Sequence, residues 1–305
     1  MDPGSRRAIF AAFTADLGIA VAKFVGFVLT GAVSMLAEAL HSVADTSNQG
    51  LLFLGAARAK KGFSEDHPFG HGRERYFWGF VVALVIFSLG ALFSMVEGVQ
   101  KLLHPHELGQ VGVAIVILLV AMVLESFSFR TAVKHSRERK EEAGSWWRFI
   151  RVAKVPELPV ILLEDLGALI GLSFALVGVV LADVTGNARF DAMGSLAIGV
   201  LLGTIAVVLM IEMKGLLIGE AASAAELDAI EQAINADGHV KRLIHIRTQH
   251  LAPDQLLVGC KVELDRHLDF QGVVDAINDV EQRIQDAVPH ANLIYVEPDI
   301  THEPR

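Results

Sequence analysis

Cysteine is nearly absent from this chain of 305 residues, which carries one, Cys260. A lone thiol permits no intramolecular disulfide and no four-cysteine or Cys-x-x-Cys zinc site, so any metal held here must be bound by histidine and carboxylate. The same scarcity suits a soluble part that faces a reducing compartment. Charge is also scarce: 20% of residues are charged while 52% fall in the AVILMFWYC set, and the mean hydropathy is +0.46. That excludes a disordered chain and argues against a soluble globule. Acidic charge predominates after residue 220, where 7 Lys and Arg face 15 Asp and Glu. With no basic cluster on a nucleic-acid motif, DNA and RNA are excluded as partners, and a cation is the natural partner of such a tail. No His-Glu-x-x-His signature is present, so the residues do not read as a metalloenzyme. The first apolar run lacks a small-residue cleavage site and reads as a retained helix, not a signal peptide.

Long apolar runs fill the space. A helix needs about 20 mostly apolar residues to cross a bilayer, and six segments in residues 1–219 meet that demand: about 8–29, 33–56, 77–103, 110–131, 160–183 and 190–218. Thr30, Gly31 and Ala32 leave so short a link that the first two form an antiparallel hairpin, and Pro105 breaks the chain between the third and fourth. Arg58, Lys60, Lys61, Arg73 and Arg75 follow span two, and eight Lys and Arg lie between Arg130 and Lys154. The positive-inside rule puts both loops in the cytoplasm, and an even number of spans puts both termini there. Trp146 and Trp147 among Arg148, Arg151 and Lys154 read as a segment at the membrane interface. Residues 220–305 change to a soluble composition. A Ser223–Glu226 capping-box pattern opens a helix, strands follow at 240–250 and 255–264, then a helix at 271–287 and a strand at 292–296. The expected fold is therefore an α-helical membrane protein of six transmembrane helices followed by a small cytoplasmic α+β domain of order α-β-β-α-β.

Two spans are impure. Span two contains His41 and Asp45, one turn apart and separated by about 6 Å along a helix axis, so one ion could be reached by both. Neutral imidazole with carboxylate is a first-row divalent-metal pair. Span five contains Glu164 and Asp165 in an apolar run. Ionisable residues at that depth cost several kcal/mol unless they pair or line a wet cavity, which makes a substrate pathway the default reading. Consecutive helical residues differ by about 100°, so one of the two faces the ion and the other a neighbouring helix or the cavity rim. Asp16, Glu97 and Glu125 have weaker claims, and Asp191 reads as a helix-start residue. Between spans two and three, Asp66, His67 and His71 surround a Pro-Phe-Gly turn. They either bind a second ion at the mouth or serve as a structural loop. The tail histidines, His239, His245, His250, His267, His290 and His302, are scattered, and without a tight spacing each reads as a surface histidine.

His41-Ser-Val-Ala-Asp45 with Asn48-Gln49, the His67-Pro-Phe-Gly-His-Gly72 loop and Asp191-Ala-Met-Gly-Ser195 resemble the cation diffusion facilitator family of divalent-metal exporters. The likeness extends over nearly the whole chain. It implies a homodimer, a transport site between the second and fifth helices, alternating access and metal/proton exchange. By position, His41 and Asp45 match the family's second-helix ligands, and Asp165 its fifth-helix aspartate. The family often has a histidine four residues earlier, where this chain has Ile161. Glu164, Gln49, Asn48 or water would replace it, as in the branch with a Glu-Asp pair in that helix. The loss hardens the site and admits manganese, iron or cobalt besides zinc, the first choice. His67, His71 and Asp66 correspond to a loop site of some members, while most of the family's metal-binding tail histidines fall out of register. The expectation is a proton-coupled zinc exporter of a prokaryotic inner membrane, with no resident cofactor and with lipid, metal ions and a second copy as partners. A non-transporting metal sensor or scaffold is the alternative.

Overall fold

The computed structural model describes the backbone of residues 3–105 and 109–299, with side chains in that range except those of residues 3–16, 34, 37–38, 41, 44–45, 85–87, 138–139 and 142. The chain forms two compact units. One comprises residues up to Ala57 and Arg75–Lys214; the other comprises Arg58–Glu74 and the chain from Gly215 onward.

The first unit is helical: α1 (Pro3–Thr30), α2 (Val33–Arg58), α3 (Glu74–Val81), α4 (Ser88–Leu103), α5 (Val111–Ala143), α6 (Trp146–Val152), α7 (Glu157–Thr185) and α8 (Arg189–Ile218). A π-helical stretch, Val82–Phe87, joins α3 to α4. Among the described residues four helical stretches are long and apolar enough to cross a membrane: Glu74–Leu103, Val111–Arg137, Glu157–Thr185 and Arg189–Ile218. The two remaining expected spans form helices, but α1 contributes only the apolar stretch Leu17–Thr30 to the described residues, and α2 carries Glu38, His41 and Asp45 in its middle. Leu89, Leu92, Val116, Phe127 and Ile211 are exposed on outward faces, as contact with lipid requires. The basic stretch after residue 130, expected as loop, instead extends α5 to Ala143. Lys, Arg and Glu are good helix formers, Arg137 pairs with Glu141 one turn on at 3.0 Å, and Gly144 at φ 84° ends the helix.

Two kinds of contact hold these helices. The first is close approach at glycine. A Cβ at Gly178 on α7 would lie 3.0 Å from the Phe190 carbonyl oxygen, and one at Gly194 on α8 would lie 3.0 Å from that of Phe174. Small residues let membrane helices meet backbone to backbone, where dispersion replaces the missing hydrophobic drive. The second is a buried polar clamp at the α1–α2 turn. Gly31 takes φ 67°, and its carbonyl accepts from Lys101 Nζ on α4 at 3.0 Å. Asp191, fully buried in the first turn of α8, accepts the Val33 N–H at 3.0 Å and lies 3.9 Å from Lys101. The carboxylate thus satisfies an orphan donor at the positive end of α2. At the start of α7, Arg75 makes a two-pronged bond to Glu157 at 2.7 and 2.9 Å. Helix α6 begins at Ser145, whose hydroxyl accepts from the Arg148 N–H, and buries Phe149 and Ile150 against Ala132 and Leu162.

The second unit contains α9 (Ala224–Asn235), β1 (Val240–Ala252), β2 (Gln255–Leu264), α10 (Phe270–Ala287) and β3 (Leu293–Pro298). The sheet order is β1-β2-β3, with β1 antiparallel and β3 parallel to the central β2. Leu256, Val258, Cys260, Val262 and Leu264 alternate along β2 and bury one face against Ile230 and Ile234 of α9 and Ala276, Val280 and Ile284 of α10. The period of two meeting a period of 3.6 gives the two-layer packing. Ser223 and Glu226 form the capping box at α9, and the Asp269 side chain accepts from Gly272 at α10. The 58–74 loop belongs to this unit. Gly70 takes φ 77°, and Gly72 sits so close to Ala252 and the Leu251 carbonyl that a Cβ would collide.

Two outcomes follow from this packing. Gly178→Val forces α7 from α8 and should lower thermal stability by about 1–3 kcal/mol, read from monodisperse protein surviving a heating series in detergent; an unchanged midpoint would refute the close-contact account. Burial, aided by the Glu281 carboxylate, pushes the Cys260 thiol up to about 11, so about one molecule in a thousand carries thiolate at pH 8. Iodoacetamide should leave the native protein unmodified and label it after denaturation, as mass spectrometry would register.

Candidate metal centre

The centre of the helical unit is built on α7. Glu164 and Asp165 are both buried there, 3% and 8% exposed, in a helix otherwise lined with Val160, Leu162, Ala168 and Leu172. Being adjacent, they diverge. Glu164 Oε1 accepts from Asn48 Nδ2 of α2 at 3.4 Å, whereas Asp165 Oδ2 accepts from the Ser128 hydroxyl of α5 at 3.1 Å. One carboxylate is therefore met from α2 and the other from α5, with Asn48 itself fully buried. Buried carboxylates met by oriented donors attract a cation, because the cation recovers part of the hydration energy they lose on burial.

Of the residues expected here, the side chains of His41 and Asp45 lie outside the described residues. Gln49 is half-buried on α2 beside Asn48. Ile161, one turn before Asp165, packs in the apolar cluster that contains Ala132 and Phe149, so this position contributes packing where a histidine would contribute a ligand. Lys23 is fully buried on α1 and donates to the Ser42 hydroxyl of α2 at 2.8 Å. Asp16 lies outside the described side chains, Glu97 is half-buried and Glu125 is buried on α5. Asp191 is a helix-start residue, as its clamp at Val33 demonstrates.

In the loop of the second unit, the His67 and His71 rings lie 4.3 Å apart. His71 Nδ1 bonds the Gly62 carbonyl, and the Ser64 hydroxyl accepts from the His67 N–H. Asp66 is exposed beside them. Among the described residues, one group of three side chains brings potential metal-ligand atoms within 4.8 Å of one another, and it is elsewhere: Glu226, His250 and His290. Sequence reading passes over these because 64 positions separate the first from the last; only the sheet topology gathers them. Burial opposes the charge on Glu226, but the bonds from Ser223 and the two nearby imidazoles outweigh it and hold the carboxyl below its usual range.

Residues 9–218 match the family described as Cation efflux transmembrane domain, and residues 222–299 match Cation efflux protein, cytoplasmic domain. The human mitochondrial proton-coupled zinc antiporter SLC30A9 is 29% identical over 265 residues, 87% of this chain and 46% of its own length. Metal tolerance protein C4 of Arabidopsis thaliana is 27% identical over 271 residues, 88% and 59% of the two chains. The magnetosome protein MamB of Magnetospirillum gryphiswaldense is 23% identical over 285 residues, 92% and 89%. The chain spans about half the length of the SLC30A9 relatives it matches. With both parts matched in order and four membrane-crossing helices in the first, this multi-pass membrane protein belongs to the cation efflux family, the cation diffusion facilitators, whose members are transporters and not enzymes.

Proposed function

We propose that the protein exports a divalent cation, zinc first, in exchange for protons, working by alternating access as a homodimer. The observation that carries this reading is the buried pair Glu164 and Asp165 on a membrane-crossing helix, with Glu164 bonded by Asn48 of α2. Positions 41, 45 and 48 recur at i, i+4 and i+7, one stripe of α2. His41, Asp45 and Asp165 are assigned as ligands, with Glu164, Asn48 and Gln49 completing or tuning the shell in place of the histidine that Ile161 supplants. An oxygen-rich shell of this kind also suits manganese, iron and cobalt, which are the alternative cargoes.

Coupling needs no separate device. The ion binds when His41 is neutral and the carboxylates are ionised, and protons arriving at the same lone pairs release it. α1 and α2 complete a six-span bundle with both termini in the cytoplasm of a prokaryotic cell. Asp66, His67 and His71 collect the ion on that side. The second unit pairs two copies, in keeping with the domain it resembles.

Purified protein in sealed vesicles, loaded with a zinc-sensitive dye and given a pH gradient, tests this. Asp165→Ala should lose at least about 100-fold in flux while still inserting and dimerising, because a direct ligand outweighs a supporting hydrogen-bond partner, typically worth roughly 10–100-fold. Asn48→Ala, which removes such a partner of Glu164, should raise the half-saturating metal concentration by about 10–100-fold. Glu164→Gln should fall between wild type and Asp165→Ala. Wild-type flux from Asp165→Ala would sink the assignment. Absence of flux for zinc, manganese, iron and cobalt alike, with binding retained, would instead support a membrane metal sensor.

A further inference from the structure

The soluble unit carries a second constellation that the transport reading does not use. His250, 1% exposed, lies near the end of β1. His290 stands in the link between α10 and β3, and Glu226 in the first turn of α9. The two imidazole planes lie within 15° of parallel with centroids 5.9 Å apart, and His290 Nε2 is 3.0 Å from Glu226 Oε1. One atom from each residue falls within 4.8 Å of the other two. From these facts we infer that Glu226, His250 and His290 form a divalent-metal site, a three-ligand set of two imidazoles and one carboxylate that takes zinc or cobalt with water in the fourth position.

The chemistry fits at each ligand. Metal–nitrogen and metal–oxygen bonds of about 2.0–2.1 Å set tetrahedral ligand atoms about 3.3–3.4 Å apart. The ligand atoms already lie within 4.8 Å of one another, so reaching that spacing takes a shift of about 1 Å at each. The backbone around the site is already tied down: the His250 N–H donates to the Glu220 carbonyl at 2.8 Å, and the His290 carbonyl accepts from the Leu256 N–H at 2.8 Å. Glu226 divides its oxygens. Oε2 accepts the Ser223 N–H at 2.6 Å in the capping box, which leaves Oε1 for an ion and makes Ser223 the outer support that orients a monodentate ligand. Two neutral imidazoles and one carboxylate make a set of intermediate hardness, suited to zinc and cobalt over calcium or magnesium.

The location gives the ion something to report. Glu226 and Glu220 flank the segment that follows α8, and Gln249, next to His250, donates to the Ile218 carbonyl at 3.1 Å. Leu251 and Ala252, the two residues after His250, are those that Gly72 of the loop between α2 and α3 abuts. An ion bound here would cross-link α9, β1 and the β3 approach at the point where that loop and the chain leaving α8 meet the sheet. This site is independent of the transport reading and stands if that reading fails.

Cobalt tests it on the full-length protein in detergent. Tetrahedral Co2+ absorbs strongly in the visible, and zinc competes it away. Asp165→Ala, disabled at the proposed transport site, should keep a zinc-displaceable tetrahedral Co2+ that His290→Ala loses or binds at least about 10-fold more weakly. His290→Cys supplies a different competent ligand, so binding should return with a thiolate-to-cobalt band that a purely structural histidine could not produce. Equal cobalt spectra and stoichiometry in the wild type and His290→Ala, or a His290→Cys protein that folds without the thiolate band, would overturn the site. Flux measured alongside keeps the two readings apart, since loss of transport with the cobalt band intact bears only on α2 and α7.

Discussion

A carboxylate carried into a membrane-crossing helix loses hydration worth several kcal/mol, and that loss organises the helical unit. Two answers to it coexist. Asp191 is answered by fixed groups: a main-chain N–H at a helix start and a lysine 3.9 Å away. It is a permanent clamp that holds the α1–α2 turn against α4 and α8, and its protein neighbours supply the compensating charge. Glu164 and Asp165 are approached differently, by an amide from α2 and a hydroxyl from α5. The amide and the hydroxyl orient the two adjacent carboxylates toward different neighbouring helices.

The soluble unit is held by different forces. Its stability comes from apolar burial along β2 and two amphipathic helices. The capping box at Ser223 and Glu226 is ordinary helix-end chemistry, worth about 1 kcal/mol. Yet the same carboxylate faces two histidines delivered by a strand and a loop, so one residue serves the helix with one oxygen and the histidines with the other.

Much of this architecture is legible in the sequence because its signals are local. The capping box, the alternation along β2 and the apolar period of α10 each lie within a short window and emerge where expected. Asp191 reads as a helix-start residue from its position alone, and it is one. The diverging faces of Glu164 and Asp165 follow from about 100° per residue, although nothing in a linear string tells that Asn48 and Ser128 would meet them. The extension of α5 escapes sequence reading because a run of Lys, Arg and Glu fits a loop and a solvated helix equally well. The π-helical stretch leaves no pattern in an apolar segment. Glu226, His250 and His290 escape it for a plainer reason: a metal site assembled across a sheet has no spacing to recognise.

The glycine contacts between α7 and α8 bear on how the helical unit can move. Helices that meet backbone to backbone have no layer of flexible side chains to shear, and sliding one past the other would drive Gly178 and Gly194 into the carbonyls of Phe190 and Phe174. The two therefore travel as one rod, with Asp191 at one end of it. Any motion of α7 that moves Glu164 and Asp165 must carry α8 along.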